Sequence, residues 1–217
     1  MKVAVIGATG FVGKAIVKEL LDRGHQVTGI ARHSAKEGAL PAGFVMKTGD
    51  VMDPQQVAGM VKGADAVVSA YNAGWANPEL YRDFLSGSQS IQSGVKKAGV
   101  RRLVVIGGAG SLEIAPGKQL VDTPEFPAEY KAGATAARDY LNILKKDNEL
   151  DWTFFSPAIF MHAGTSGIRK GVYRKGLDNP VFDKDGQSVL SVEDLAMAIV
   201  DELEQAQHIR QRFTAAY

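Results

Sequence analysis

The sequence predicts an α/β protein in which a doubly wound, mainly parallel sheet carries helices on both faces. Three observations predict it. Short apolar runs alternate with stretches of helical periodicity along the 217 residues, the pattern of strand–helix–strand units joined by right-handed crossovers. The first run is apolar throughout, as a strand covered on both faces requires, and it ends in a turn with three regularly spaced glycines. No repeat, low-complexity tract or linker interrupts the chain. Residues 1–217 therefore read as one three-layer domain with a small C-terminal substrate or lid region around 157–190.

In chain order, residues 3–6 form the first strand, four apolar residues that stop at Gly7. The run is too short for the apolar stretch of a signal peptide. Val12, Ala15, Ile16 and Leu20 then recur at helical spacing over 11–21, and Gly24 stands where such a helix stops. Residues 26–31 and 44–47 are the second and third strands. Pro54 opens a helix over 54–62, because its fixed φ suits a first turn. A strand at 66–70, a long helix at 78–98 and a strand at 103–106 follow. Residues 108–127, with Gly108, Gly110, Pro116, Gly117, Pro124 and Pro127, read as an irregular loop that covers a site or moves. A helix over 130–145 leads to the strand 152–155. The glycine- and charge-rich stretch 162–188 reads as short strands or a lid. Ser191 before Glu193 and Asp194 is an N-cap with acids in the first turn, opening a helix over 192–205. Residues 212–216 read as a final edge strand.

Composition narrows the function classes. Lys and Arg number 25 against 24 Asp and Glu, so a formal charge of +1 creates no field for nucleic acid or an anionic membrane. No apolar segment approaches the roughly 20 residues that cross a bilayer. The absence of cysteine removes disulfides, thiolate catalysis and cysteine–zinc sites, and fits a reducing cytoplasm. The four histidines, His25, His33, His162 and His208, lack ligand spacing, and no G-x-S-x-G elbow marks a hydrolase. Lys96-Lys97 and Arg101-Arg102 read as the solvent-facing end of a helix and loop. A small-molecule substrate and a monomer or homodimer are the expectation.

The turn Gly7-Ala8-Thr9-Gly10-Phe11-Val12-Gly13 carries the chemistry. Gly7 allows the tight turn, Gly10 lets backbone approach a pyrophosphate, and Gly13 lets the helix pack on the sheet. The helix N-terminus offers unpaired N–H groups and partial positive charge to the phosphates. A strand before and a helix after make this turn a Rossmann dinucleotide site, with Thr9, Phe11 and Val12 as further contacts. The second strand closes on Arg32-His33-Ser34 with Lys36 nearby, and no acid appears before Glu37. A 2′-phosphate needs cations there and a bare ribose an acid, so Arg32 as a bidentate clamp with Ser34 as donor selects NADP(H), with NAD(H) second. After the third strand, Asp50 is either an acceptor for the adenine amino group or a helix cap, and Val51 packs on the ring.

With these residues in view the chain resembles the atypical short-chain dehydrogenase/reductase superfamily, especially its small NAD(P)H-binding members: NmrA-like proteins, NADH-flavin reductases and biliverdin-IXβ (flavin) reductases. The likeness continues through Gly49-Asp50-Val51, Ser69-Ala70-Tyr71-Asn72-Ala73-Gly74, residues 104–111, Tyr130-Lys131 and Phe155-Ser156-Pro157-Ala158, which covers nearly the whole chain. It implies that Ala70 and Tyr71 lie along the adenosine ribose and pyrophosphate. It also implies that Ser111 and Lys131 stand beside the nicotinamide, and that the turn from Ser156 through Pro157 and Ala158 to Ile159 meets its carboxamide. One departure stands out. The superfamily pairs a tyrosine with a lysine four residues later, whereas Pro127 precedes Lys131 at that spacing and Leu144 follows Tyr140.

The missing tyrosine argues against ordinary alcohol–ketone chemistry. Hydride transfer from NADPH to a flavin, bound as substrate, or to a similar conjugated acceptor needs little beyond stacking. In this reading Lys131 orients the nicotinamide ribose, Ser111 donates to a substrate oxygen, and His162 is a candidate proton donor. Tyr71 and Trp75 offer stacking surface. Two rivals stay open. One is a non-catalytic NAD(P) sensor of NmrA type. The other is an epimerase- or dehydratase-like oxidoreductase of sugar nucleotides or ketones that uses Ser111 and water.

Overall fold

The computed structural model describes residues 1–33 and 41–217. The chain enters through β1 (Lys2–Ile6), α1 (Phe11–Asp22), β2 (Gln26–Ala31) and β3 (Phe44–Thr48). It continues through α2 (Pro54–Val61), β4 (Ala66–Ser69), α3 (Leu80–Lys97) and β5 (Arg102–Ile106). A small hairpin follows, β6 (Glu113–Ala115) and β7 (Lys118–Gln119), then α4 (Ala128–Leu144) and β8 (Asp151–Ser156). The last elements are β9 (Arg174–Gly176), α5 (Val192–Gln205) and β10 (Gln211–Ala216).

Eight strands form one sheet in the order β3-β2-β1-β4-β5-β8-β10-β9. Every pairing in it is parallel except that of β10 with β9. This is the doubly wound Rossmann arrangement the sequence predicts. Side chains alternate along each strand, so each strand feeds two cores. Val3, Val5, Val68, Val104 and Phe155 pack with Ile16, Leu20, Leu195 and Ile199 of α1 and α5 on one face. Ala4, Ile6, Val67, Val105 and Phe154 pack with Val57, Ile91, Ala136 and Tyr140 of α2, α3 and α4 on the other. Strand order reverses direction at β1 and β4, and the crevice at their carboxyl ends is where such sheets hold ligands.

Two helix starts follow from their capping residues. Asp53 accepts N–H bonds from Gln55 and Gln56, with Pro54 at the first helical position of α2. Ser191 accepts the Asp194 N–H at 3.1 Å and opens α5.

Three expectations need correction. Residues 212–216 are not an edge strand: β10 lies between β8 and β9, and Arg212 through Ala216 are buried. The irregular stretch 108–127 contains the β6–β7 hairpin, whose Pro116-Gly117 corner suits a type II turn, with Gly117 at φ +71°. The basic cluster does not simply face solvent. Lys96 pairs with Asp147 at 2.6 Å, and Arg102 runs inward to the buried Glu202 at 2.8 Å. Glu202 is further held by His208 Nδ1, 2.6 Å away.

The stretch 162–188 is tied down along its middle. Arg169 pairs with the buried Glu19 of α1, the N–H groups of Lys170 and Gly171 donate to Asp194, and Tyr173 donates to Asp201. Further on, Asp178 accepts at its carbonyl from the Glu113 N–H, and Asn179 donates to the Glu113 carbonyl. These bonds join the excursion to the β6–β7 segment.

Candidate nucleotide-binding site

The glycine turn is packed so tightly that side chains are excluded from two of its three glycines. Gly7 has φ +79°, and a Cβ there would lie 2.5 Å from the Ala70 carbonyl oxygen, so the turns after β1 and β4 touch. A Cβ on Gly13 would lie 2.1 Å from the Gly7 carbonyl oxygen. Gly10 differs. Its φ of −77° suits any residue, and a Cβ would meet only the Gly7 oxygen, at 3.3 Å. The protein's own packing therefore restricts position 10 less than positions 7 and 13. No side chain caps α1 and no acid stands in its first turn, so its N–H groups and dipole are left for an anion. Thr9, Gly10 and Phe11 are exposed at this turn, and Val12 is half-buried. The cradle fits a dinucleotide.

At the adenosine end, Arg32 is exposed just past β2, and Ser34 lies outside the described residues. Asp50 is exposed, and its carboxylate accepts the Met52 N–H at 2.9 Å. That is a turn bond. The cap of α2 is Asp53, which removes the capping alternative for Asp50. Val51 is buried in the core beside Ile30, Val57 and Met60. The Tyr71 ring is wedged against Gly87, where a Cβ would come within 2.6 Å of it, and stacks on Phe84 at 6.0 Å. Its hydroxyl donates to the Asp83 carbonyl at 3.1 Å. Burial raises the phenol's pKa, with the Asp83 and Asp50 charges adding and Arg32 opposing. Tyr71 thus braces α3 more than it offers a free face.

At the other end, Ser111 closes a short 3-10 turn after β5 and is only 1% exposed. Its hydroxyl lies 3.3 Å from Ser156 Oγ and accepts from Arg212 at 3.2 Å. Ser156, Pro157 and Ala158 are buried at the end of β8. Lys131 is exposed in the first turn of α4, and Pro127 precedes that helix as its N-cap residue. The position four before Lys131 is therefore off the helix and without a hydroxyl. Tyr140 is fully buried in the core, where burial pushes its pKa up. His162 is exposed, but Nδ1 accepts the Gly164 N–H at 3.0 Å and so caps a local turn. The structure brings Ser111 and Ser156 together and leaves His162 with its own turn.

Sequence reasoning missed Arg212. Its guanidinium is 2% exposed and spans two segments: it donates to the Ser111 carbonyl and hydroxyl, and to the Asp178 carboxylate. The available signal was a lone arginine at the head of the apolar run Phe213-Thr214-Ala215-Ala216. Among the described residues no group of three or more potential ligands could hold a metal, and no helix is long and apolar enough to cross a membrane.

A family model described as NAD(P)H-binding matches residues 7–206, from the glycine turn through α5. The chain belongs to this NAD(P)H-binding family. YwnB of Bacillus subtilis, an uncharacterised protein, is 39% identical over 216 residues, spanning 99% of this chain and 97% of that one. A solved structure from Bacteroides thetaiotaomicron, described as a candidate epimerase, is 44% identical, with a TM-score of 0.90 over 100% of this chain and 96% of its own. Another from Streptococcus pneumoniae, described as a candidate NADH-flavin reductase, is 36% identical, with a TM-score of 0.85 over 100% and 99%. The resemblance stated from the residues is the relationship these comparisons show: an NAD(P)H-binding Rossmann protein of the oxidoreductase class.

Proposed function

We propose that the protein is a cytoplasmic NADPH-dependent reductase of a flavin or a similar flat, conjugated acceptor. Bound NADPH supplies a hydride, which the acceptor takes up with one proton from solvent, leaving NADP⁺ and the dihydro form of the acceptor. The chain's own residues bind and orient. The α1 N-terminus holds the diphosphate, Arg32 with Ser34 the 2′-phosphate, and Asp50 the adenine amino group. Ala70 lines the pyrophosphate, and Lys131 orients the nicotinamide ribose. The buried wall of Ser111 and Ser156–Ala158 backs the nicotinamide, Ser111 holding its place through Ser156 and Arg212. His162 caps its own turn through Nδ1, and no proton transfer is assigned to it.

The observation that carries the choice of acceptor is the missing acid: Pro127 stands before α4 where a tyrosine would serve Lys131, and Tyr140 is sealed in the core. A ketone or sugar oxygen needs a positioned proton donor, whereas a flavin nitrogen takes its proton from water. The Bacteroides relative favours a second reading, epimerase-like chemistry, for which Ser111 and water would replace the tyrosine. Oxidation of NADPH is measured with FMN, riboflavin, quinones and a panel of ketones and sugar nucleotides, beside titrations of NADPH and NADH. Turnover with flavin or quinone and tighter binding of NADPH support the proposal. Turnover confined to ketones or sugar nucleotides supports the epimerase-like reading, and tight binding with no turnover supports a sensor.

A further inference from the structure

Two exposed aromatic rings stand at the carboxyl edge of the sheet. Trp75 is 59% exposed in the β4–α3 connection, and Tyr130 is 50% exposed in the first turn of α4. Their ring centroids are 5.4 Å apart at 84°, an edge-to-face pair. The pair rests on a seat made for it. A Cβ on Gly133 would lie 2.9 Å from the Trp75 ring, so the end of the indole lies close over α4 at this glycine.

The loop presenting Trp75 is ordered from within. Asn72 accepts the Gly74 N–H at 2.7 Å, Asn77 accepts the Glu79 N–H at 2.9 Å, and Asn77 donates to Asp83 at 2.9 Å. A tryptophan held this firmly with most of its surface in water is an uncommon use of the largest apolar side chain.

Topology says what lies nearby. The adenosine end of the crevice is at β2 and β3, marked by Arg32 and Asp50. The helix α4 follows β5 on the opposite side of the switch point, and Lys131 adjoins Tyr130. The aromatic pair therefore flanks the nicotinamide end, where an acceptor must enter.

We propose that Trp75 and Tyr130 form a stacking subsite for the ring system of the acceptor, a flavin-class tricyclic ring or one of like size and flatness. The proposal rests on the reductase reading above. It separates the two aromatics that follow β4: Tyr71 braces α3, and Trp75 meets substrate. The indole face is the stacking surface, and Tyr130 fixes its tilt.

Flavin emission tests it, because stacking on an indole quenches a flavin directly. Wild-type protein and the variants are titrated into riboflavin and into FMN in the presence of NADP⁺, with quenching reading the indole contact and emission anisotropy reading affinity, and NADPH binding is followed separately by calorimetry. Wild type should quench both flavins. Trp75→Leu should weaken flavin binding about tenfold, the size of one aromatic stack. Trp75→Phe should hold it within about threefold, and both variants should bind NADPH as wild type does, which shows the fold intact. Equal flavin affinity in wild type and Trp75→Leu, or no quenching by wild type, overturns the subsite. Failure of the reductase reading is seen elsewhere, as wild-type protein that quenches flavin yet oxidises no NADPH.

Discussion

The three glycines of the first turn do different physical work, and substitutions should separate it. A methyl group on Gly13 would drive into the Gly7 carbonyl at 2.1 Å, so Gly13→Ala should lower stability by about 2 kcal/mol or more, read as the shift in a denaturant midpoint. Gly10 has ordinary dihedrals and free space on the ligand side. Gly10→Val should therefore stay folded, with a small loss of stability as the Gly7 carbonyl gives way, yet show no calorimetric heat with NADPH or NADH; a well-folded Gly10→Val that binds either one would place the diphosphate elsewhere. Arg32→Glu should weaken NADPH by roughly 10- to 100-fold, the worth of a charge-assisted pair, and NADH far less. Equal losses would remove the 2′-phosphate role. These residues were legible in the sequence because their chemistry is local: the turn, the strand before it and the residue after β2 lie within the first 32 positions. Ser111 was not legible in the same way. Its hydroxyl is set by Arg212, 101 residues away, and no spacing rule reaches that far.

At the scale of elements, the strands and helices with strong periodicity came through to within a few residues, while the segments between them did not. The β6–β7 hairpin was hidden because its strands are only three and two residues long, although Pro116-Gly117 at its corner was a turn signal. The edge was misplaced for a related reason: β9 has three residues and no apolar pattern, yet it covers β10. Arg212 makes these weak elements one unit. One arm grips the Ser111 turn and the other Asp178, beside the Glu113–Asp178 backbone bond and the bond from the Asn179 side-chain amide to the Glu113 carbonyl. Because the guanidinium is buried and Asp178 is largely exposed, the two partners should not be equivalent. Asp178→Ala leaves a buried cation without its counter-charge and should cost about 2 kcal/mol. Arg212→Met removes the charge itself and lets Asp178 hydrate, so it should cost about half as much. Denaturant midpoints for the two variants check the order, and a reversed order would mean that the arginine's backbone bonds outweigh its charge.

For the whole molecule, two ionic ties to buried carboxylates, Lys96–Asp147 and Arg169–Glu19, join segments far apart in the sequence. Asp147, after α4, is 2% exposed at its side chain and receives Lys96 at 2.6 Å, Gln92, and the N–H groups of Glu149 and Leu150. Burial alone would raise its pKa; the bonds from Lys96, Leu150, Gln92 and Glu149 outweigh it and hold the carboxyl at about 2, against an ordinary 3.8. The Arg169 guanidinium likewise holds Glu19 below the usual carboxylate range, with Arg23 adding and burial opposing. A carboxylate whose pKa is depressed by folding stabilises the native state fully above its unfolded value, and that contribution disappears as pH falls through the folded value. Asp147 should thus contribute on the order of 2 kcal/mol at neutral pH, lost between about pH 4 and pH 2, with Glu19 losing its share from slightly higher pH. Asp147→Asn should lower stability at neutral pH and flatten the acid decline, because the asparagine has no proton to take up. Its NADPH affinity at pH 7 should match wild type, since the pair joins α3 to the end of α4 and not to the glycine turn. Chemical denaturation across this pH range, with nucleotide calorimetry at pH 7, reads both effects. An acid decline as steep in Asp147→Asn as in wild type would assign the loss to other carboxylates, with Glu19 the first to examine.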